Sequence, residues 1–215
     1  MMTEKELNDN SINKGFCSYE RPLPVLIKKV SDIFFAIIFL IVLSPLILIL
    51  TLLIMITDKG QVIYKQDRVG KDGRPFSIYK FRSMKDDPDH GAHMLTGLNR
   101  ERMTWLGKIM RPYRIDEIPN FLNVIKGDMS IVGPRPERKY YIDQIMKRAP
   151  EYINLQKVKP GVTSWGQVRF GYASNVDEMI ERLKYDLYYM RHRSLLFDLK
   201  IIFYTMGTVL KGKGL

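Results

Sequence analysis

Cysteine occurs once in the 215-residue chain, at Cys17. A lone thiol excludes an intramolecular disulfide and a cysteine-built metal site, and it fits a reducing compartment. Histidine is nearly as scarce, with three residues. His90 and His93 sit in the polar run DDPDHGAH, which reads as a loop with no further metal ligands in view. Acidic residues are in deficit: 23 Asp and Glu against 34 Lys and Arg leave a net charge of +11. That balance points to an anionic partner, whether nucleic acid, an acidic membrane surface or a phosphorylated substrate. There is no internal repeat and no low-complexity tract. The length suits one domain, or one domain plus an anchor, and is enough for a real core. Residues 1–20 are polar and predicted to be disordered.

What the chain does have is a long apolar run. From Ile33 to Thr57, 25 residues pass without a charge. About 20 apolar residues in a helix suffice to cross a bilayer core. The run is too long for a cleavable signal peptide, and no small-residue cleavage site follows it. A single spanning helix is the ordinary reading, and two features oppose it. Pro45, near the middle, removes an N–H and clashes with the carbonyl of Ile41, so the helix should kink or break at Ser44-Pro45. Ser44 can satisfy a freed backbone group there. Each half is then about 18–20 Å long at 1.5 Å per residue, too short to cross alone. Both flanks are also basic: Lys28 and Lys29 before, Lys59, Lys65 and Arg68 after. Orientation is therefore unresolved by the positive-inside rule. A re-entrant hairpin with both ends on one face removes the conflict, with Lys28 and Lys29 snorkelling to anionic headgroups.

After this segment, Gln61 to Met84 reads as a β-hairpin turning at Asp72-Gly73. Leu98 to Met110 reads as a helix with Met103, Leu106, Ile109 and Met110 on one side and the interfacial aromatic Trp105 nearby. A second helix should start near Asp116, carry Ile118, Phe121, Leu122 and Ile125 inward, and end at Gly127. Glu137 to Arg148 and Val176 to Arg191 read as further helices. The last helix follows Ser194, a suitable N-cap. Its stripe of Leu195, Leu199, Ile202, Met206 and Val209, widened by Leu196, Phe203 and Leu210, suits either a core or a membrane interface.

Chemistry concentrates in RIDEIPN, Arg114 to Asn120. An aspartate can attack phosphorus to form an acyl phosphate, splitting one transfer into two steps. A helix start beside Arg111 and Arg114 would favour the ionised form of Asp116. Glu117 points about 100° away around a helix, so both acids reach one hard cation only if the helix end is irregular. Mg²⁺ suits such a site, because it binds one or two carboxylates plus substrate phosphates. Lys80 and Arg82 leave the hairpin in YKFRSM, and Arg135 is locked between Pro134 and Pro136. A rigidly placed guanidinium suits phosphate contact and transition-state charge. Each feature also has a plainer reading: acids in a first helical turn complement the helix dipole, and basic residues at a strand end are usually solvated.

Four ordered blocks resemble one family: SDIFFAIIFLIVLSPLIL, KQDRVGKDGRPFSIYKFRSM, MRPYRIDEIPNFLNVIKGDMSIVGPRPE and KPGVTSWGQV. From Arg21 to the C-terminus the chain is similar to the bacterial sugar transferases, monotopic phosphoglycosyl transferases that start membrane glycan assembly. The resemblance implies an α+β, mostly helical protein. A re-entrant helix-break-helix at residues 21–58 would precede a small catalytic domain at residues 59–215, with a β-hairpin and interfacial amphipathic helices. It implies transfer of a sugar-1-phosphate from a UDP-sugar to undecaprenyl (polyprenyl) phosphate, with UMP released. Asp116 matches the nucleophile and Glu117 the residue that helps hold Mg²⁺. Arg111 and Arg135 match positions associated with the phosphates. The implied location is the bacterial inner membrane, with an anionic phospholipid surface and the catalytic domain on the cytoplasmic face.

At Arg114 the family often has Ser or Thr, which leaves that residue open as a phosphate ligand, a membrane contact or a tolerated substitution. The C-terminal stretch resembles versions that carry extra N-terminal spanning helices, so the chain reads as a minimal or a shortened form. A homodimer is the default expectation for oligomeric state. Two rivals remain. A basic nucleic-acid or lipid-binding module predicts salt-dependent binding, but the chain carries no nucleic-acid motif or aromatic strand stack. A catalytically dead scaffold sits badly with an intact Asp116-Glu117 pair.

Overall fold

A computed structural model describes residues 22–58, 61–85 and 102–212. The expectations for the 1–20 tail, the 86–101 loop, Cys17, Lys59, His90 and His93 lie outside these residues. Helix α1 (Pro22–Val42) and helix α2 (Ser44–Asp58) meet at Leu43 with a bend of 61°. The break follows from Pro45, and Ser44 Oγ donates to the carbonyl of Ile41 at 2.7 Å, the group the proline ring strands. Neither helix is long and apolar enough to cross a membrane by itself, whereas the bent pair passes by length and composition.

Strands β1 (Ile63–Val69) and β2 (Pro75–Phe81) form the expected antiparallel hairpin. Asp72 and Gly73 take positive φ at its turn, as the Asp-Gly signal requires. Helix α3 (Trp105–Met110) is shorter than the sequence suggests. Thr104 caps it by accepting from Gly107 N at 2.9 Å, and Met103 instead bridges to Met84. Leu106 and Met110 are buried, but Ile109 faces out. The segment from Asp116 is not one α-helix. A 3₁₀ turn (Ile115–Asn120) precedes helix α4 (Phe121–Lys126), which ends at Gly127 with φ 90°. Ile118 is buried as expected, while Leu122 and Ile125 are exposed.

Strand β3 (Ser130–Val132) pairs in parallel with β4 (Gly161–Thr163). The crossover carries helix α5 (Lys139–Arg148) and a 3₁₀ segment (Pro150–Lys157). Gly133 and Gly161 lie so close that a side chain at Gly133 would sit 2.5 Å from the carbonyl oxygen of Lys159. Glycine is required there, and the approach fixes where Pro134, Arg135 and Pro136 emerge. Helices α6 (Trp165–Arg169), α7 (Val176–His192) and α8 (Leu195–Leu210) complete the fold; Ser194 caps α8 as predicted.

The largest core cluster joins α5, the 150–157 segment, α6, α7 and α8 around Ile145, Trp165, Tyr189 and Ile201. Two smaller clusters seat the bent pair. Leu50 and Ile54 of α2 pack with Phe81, Leu106, Met110 and Ile118. Ala36 of α1 packs with Ile78, Val124 and Met129.

Lys28 corrects the snorkelling expectation. It is 9% exposed, and its Nζ donates to Asp198 Oδ2 at 2.6 Å. Tyr189 Oη donates to the other oxygen of Asp198 at 2.8 Å, so the polar knot ties α1 to α7 and α8. Lys29 is exposed. Most of the apolar stripe of α8 also faces out: Leu196 is 79% and Phe203 75% exposed, while Asp198 and Ile201 are buried and Ile202 packs partly against the core.

Candidate active site

Proline and a left-handed residue shape the local backbone around the acids. Pro112 starts a 3₁₀ turn at Arg111–Tyr113, and Arg114 then adopts φ 51°, ψ 25°. That reversal starts the second 3₁₀ turn, where Glu117 N donates to Arg114 O at 3.1 Å. Pro119 inside the turn removes a donor that a continuous α-helix would need. The irregular helix end that a shared cation requires is therefore present. Asn120 and Asn123 fasten the turn to β2: Asn120 Oδ1 accepts from Tyr79 N at 3.2 Å, and Asn123 Nδ2 donates to Ser77 O at 2.8 Å.

Asp116 and Glu117 are each only 6% exposed. Lys80, on β2, donates from Nζ to Glu117 Oε1 at 2.6 Å. Arg135 Nη1 lies 3.8 Å from the same oxygen. Arg135 Nε lies 3.9 Å from Glu137 Oε1, an atom that also accepts from Arg182 Nη2, and Arg68 Nη1 lies 3.5 Å from Glu137 Oε2. Two glutamates thus hold Arg135 from opposite partners. A narrow cleft lined by Arg68, Lys80, Asn120 and Arg135 opens beside Glu117.

The two carboxyls sit in different electrostatic states. Burial opposes ionisation of Glu117, but Lys80, Arg135 and Arg114 outweigh it and hold the carboxyl well below the usual carboxylate range. Burial raises the pKa of Asp116, the Glu117 charge adds to this, and Lys80 and Arg111 only partly offset it. Burial thus reverses the preference for ionised Asp116 expected from the neighbouring arginines and the helix start. Lys80 is pushed down by burial against the pull of Glu117.

These positions suit a hard cation. Among the described residues no cluster of three or more His, Cys, Asp or Glu is assembled. Lys80 and Arg135 both engage Glu117 Oε1, which leaves Glu117 Oε2 and Asp116 as oxygen donors. Two carboxylates completed by substrate phosphates is a donor set that Mg²⁺ accepts. Asp116, whose negative charge its surroundings under-compensate, gains most from a cation there.

Of the residues singled out in the sequence, the fold brings Lys80, Arg111, Arg135, Asp116 and Glu117 together. Arg111 acts on Asp116 through its charge, and its Nη1 is buried without a hydrogen-bond partner. Arg82 goes elsewhere: it donates to the carbonyls of Met84 at 3.2 Å and Lys85 at 2.7 Å. Arg68, read as a flanking membrane charge, is instead part of the Glu137 network. Tyr172 was not legible. Its ring centroid lies 5.2 Å from the guanidinium carbon of Arg114 and 5.2 Å from that of Arg135. Glu137 could have been suspected only from its place directly after the proline-locked arginine.

Residues 23–212 match the family model described as bacterial sugar transferase. An Aeromonas hydrophila protein named UDP-N-acetylgalactosamine-undecaprenyl-phosphate N-acetylgalactosaminephosphotransferase is 42% identical over 90% of this chain and 46% of its own length. The Escherichia coli K12 UDP-glucose:undecaprenyl-phosphate glucose-1-phosphate transferase is 37% identical over 87% of this chain and 42% of its own. A Caulobacter vibrioides protein of that same name is 38% identical over 85% of this chain and 69% of its own. The chain spans less than half the length of the first two of these relatives. With a family model covering nearly all of the described residues and relatives well above 30% identity, the chain belongs to the bacterial sugar transferase family.

Proposed function

We propose that this protein is a phosphoglycosyl transferase that moves a sugar-1-phosphate from a UDP-sugar to undecaprenyl phosphate. The observation that carries the reading is the buried Asp116-Glu117 pair, its two carboxyls in opposed electrostatic states and ringed by Lys80, Arg111, Arg114 and Arg135. A carboxylate oxygen of Asp116 attacks the phosphorus that bears the sugar. The bond from that phosphorus to the bridging oxygen breaks, and UMP leaves with the electron pair. A phosphate oxygen of the polyprenyl phosphate then attacks the acyl phosphate, restoring the Asp116 carboxylate. Lys80 and Arg135 hold Glu117 in place, while Arg135 and Arg111 offer guanidinium charge to the phosphates. Mg²⁺ held by Asp116 and Glu117 Oε2 would supply charge neutralisation on the donor phosphates.

The relatives' names cover both N-acetylgalactosamine and glucose. The test is therefore a panel of UDP-sugars with Mg²⁺ and undecaprenyl phosphate, read as UMP release. One sugar should give UMP that depends on the lipid for continued turnover; no release from any UDP-sugar overturns the reading.

The pH profile follows from the shifted carboxyl. Asp116 attacks only when ionised, and its pKa is raised above the ordinary 3.8. Activity is then present above the raised value and lost as pH falls through it. The acid limb of kcat/KM should lie above pH 3.8; a rate that holds down to that pH contradicts the assignment.

We also read the bent pair α1–α2 as re-entrant, with the catalytic part on the cytoplasmic face of the inner membrane. Support comes from the exposed apolar faces of α1, α2 and α8 and from Trp105, which are far more apolar surface than a protein surrounded by water usually shows. Cys17 is the single thiol and precedes α1. In intact spheroplasts an impermeant maleimide added outside should leave it unlabelled, and labelling would mean that the pair spans.

A further inference from the structure

Beyond its charge on Glu117, Arg114 has no contact with substrate in the scheme above, yet three observations set it apart. It is one of two described non-glycine residues with positive φ, and the other, Asp72, is in a hairpin turn. Its Nε is buried without a hydrogen-bond partner, and among the described residues it forms no ion pair. Its guanidinium and that of Arg135 lie at the same 5.2 Å distance from the Tyr172 ring centroid, so the two cations are no further apart than twice that separation. Tyr172 itself is half-buried, and the charges of Glu117 and Asp116 both act on its hydroxyl.

Two like charges drawn to one phenol ring repel each other, and Arg135 already faces Glu117 and Glu137. Arg114 carries a fork of donors with no carboxylate to fill it. Guanidinium forks match phosphate oxygens in bidentate geometry, and an anion between two of them relieves their repulsion. An aromatic face holds each guanidinium in orientation without using its N–H groups. We propose that Arg114 binds the diphosphate of the nucleotide-sugar donor together with Arg135, and that Tyr172 is the positioning residue that holds both guanidiniums for it. The inference rests on the donor assignment made above. It also gives the left-handed backbone at Arg114 a purpose: the reversal turns this side chain to Tyr172 at the moment the chain enters the dyad turn.

The test uses direct binding, which is independent of turnover. The full chain, in detergent micelles with Mg²⁺, is titrated with UDP and separately with uridine. Arg114→Gly suits the purpose, because glycine accepts φ 51° freely and the variant loses only the side chain. The expected result is a UDP Kd raised about 10- to 100-fold, the value of a charged hydrogen-bond pair, with uridine affinity and thermal midpoint unchanged. Arg114→Lys should recover part of the loss, since it restores charge without the fork. Tyr172→Leu should weaken UDP binding and leave uridine binding alone. UDP affinity within about twofold of wild type in Arg114→Gly, or an equal loss for UDP and uridine, overturns the clamp. If Arg114→Gly does not fold, Arg114→Gln is read by the same criteria. Wild-type affinity in Tyr172→Leu overturns the positioning role. Arg114-dependent UDP binding without UMP release from any UDP-sugar would sink the transfer reaction and leave the clamp standing. Transfer with UDP affinity indifferent to Arg114 would sink the clamp alone.

Discussion

Asp116→Asn should fold at least as well as the wild type and lose transfer by about 10⁴-fold or more. Asparagine keeps the shape of the side chain but has no carboxylate to join to phosphorus. The site already opposes a charge at this position, because burial and Glu117 both raise the Asp116 pKa. Removing the charge therefore relieves the fold while ending the chemistry, and the two effects have opposite signs. The measurement pairs UMP release with retention of a radiolabelled sugar-phosphate on the denatured protein. Wild type should retain label when the polyprenyl phosphate is withheld, and the variant should retain none. Full activity in Asp116→Asn would end the nucleophile assignment. A loss of activity accompanied by a large fall in thermal midpoint would mean that Asp116 is structural.

The second large effect is far from the dyad. Asp198→Ala should destabilise the protein by about 2–3 kcal/mol, since it removes the shorter of the two carboxylate contacts of the buried Lys28 ammonium and leaves only Asp32, 3.5 Å away. Burial pushes the Asp198 carboxyl up, and Lys28 and Tyr189 counteract that by bonding its charged form. Lys28 also pairs with Asp32 at 3.5 Å and Tyr189 Oη also reaches the carbonyl of Val132 at 3.4 Å, so Asp198 is the hub of the knot. Replacing the pair together, Lys28→Met with Asp198→Leu, should return most of the lost stability, because it removes both desolvated charges at once. Thermal unfolding of the single and double variants in one detergent checks this. A single variant within about 1 kcal/mol of wild type would show that the pair is hydrated in the folded protein.

The contrast between these two sites marks where sequence reading succeeds. The Ser44-Pro45 break, the Asp72-Gly73 turn, the Gly127 stop and the Ser194 cap were all legible, because each is a rule about neighbours along the chain. The acids and the proline-locked Arg135 were legible as candidates, because their spacing is local too. Lys28 was misread: its partner is 170 residues away, and a basic residue before an apolar run usually does face headgroups. Leu122, Ile125 and the α8 stripe were equally ambiguous, since periodicity identifies an apolar face and not what covers it. Burial reversed the expected charge preference of Asp116, and burial is a property of the whole fold. Tyr172 and Glu137 reach the site from two separate connecting segments and Arg182 from α7, and no short motif encodes such a meeting.

Ile115 and Ile118 flank Asp116 and Glu117, and both pack in the cluster that holds Leu50 and Ile54 of α2. The dyad and the second half of the bent pair therefore share one packed cluster. Where α2 enters a lipid layer, its depth of immersion sets the height of Asp116 above that layer. The same packing that builds the core would thus act as a depth gauge, holding Asp116 at one level relative to any phosphate that a lipid surface presents.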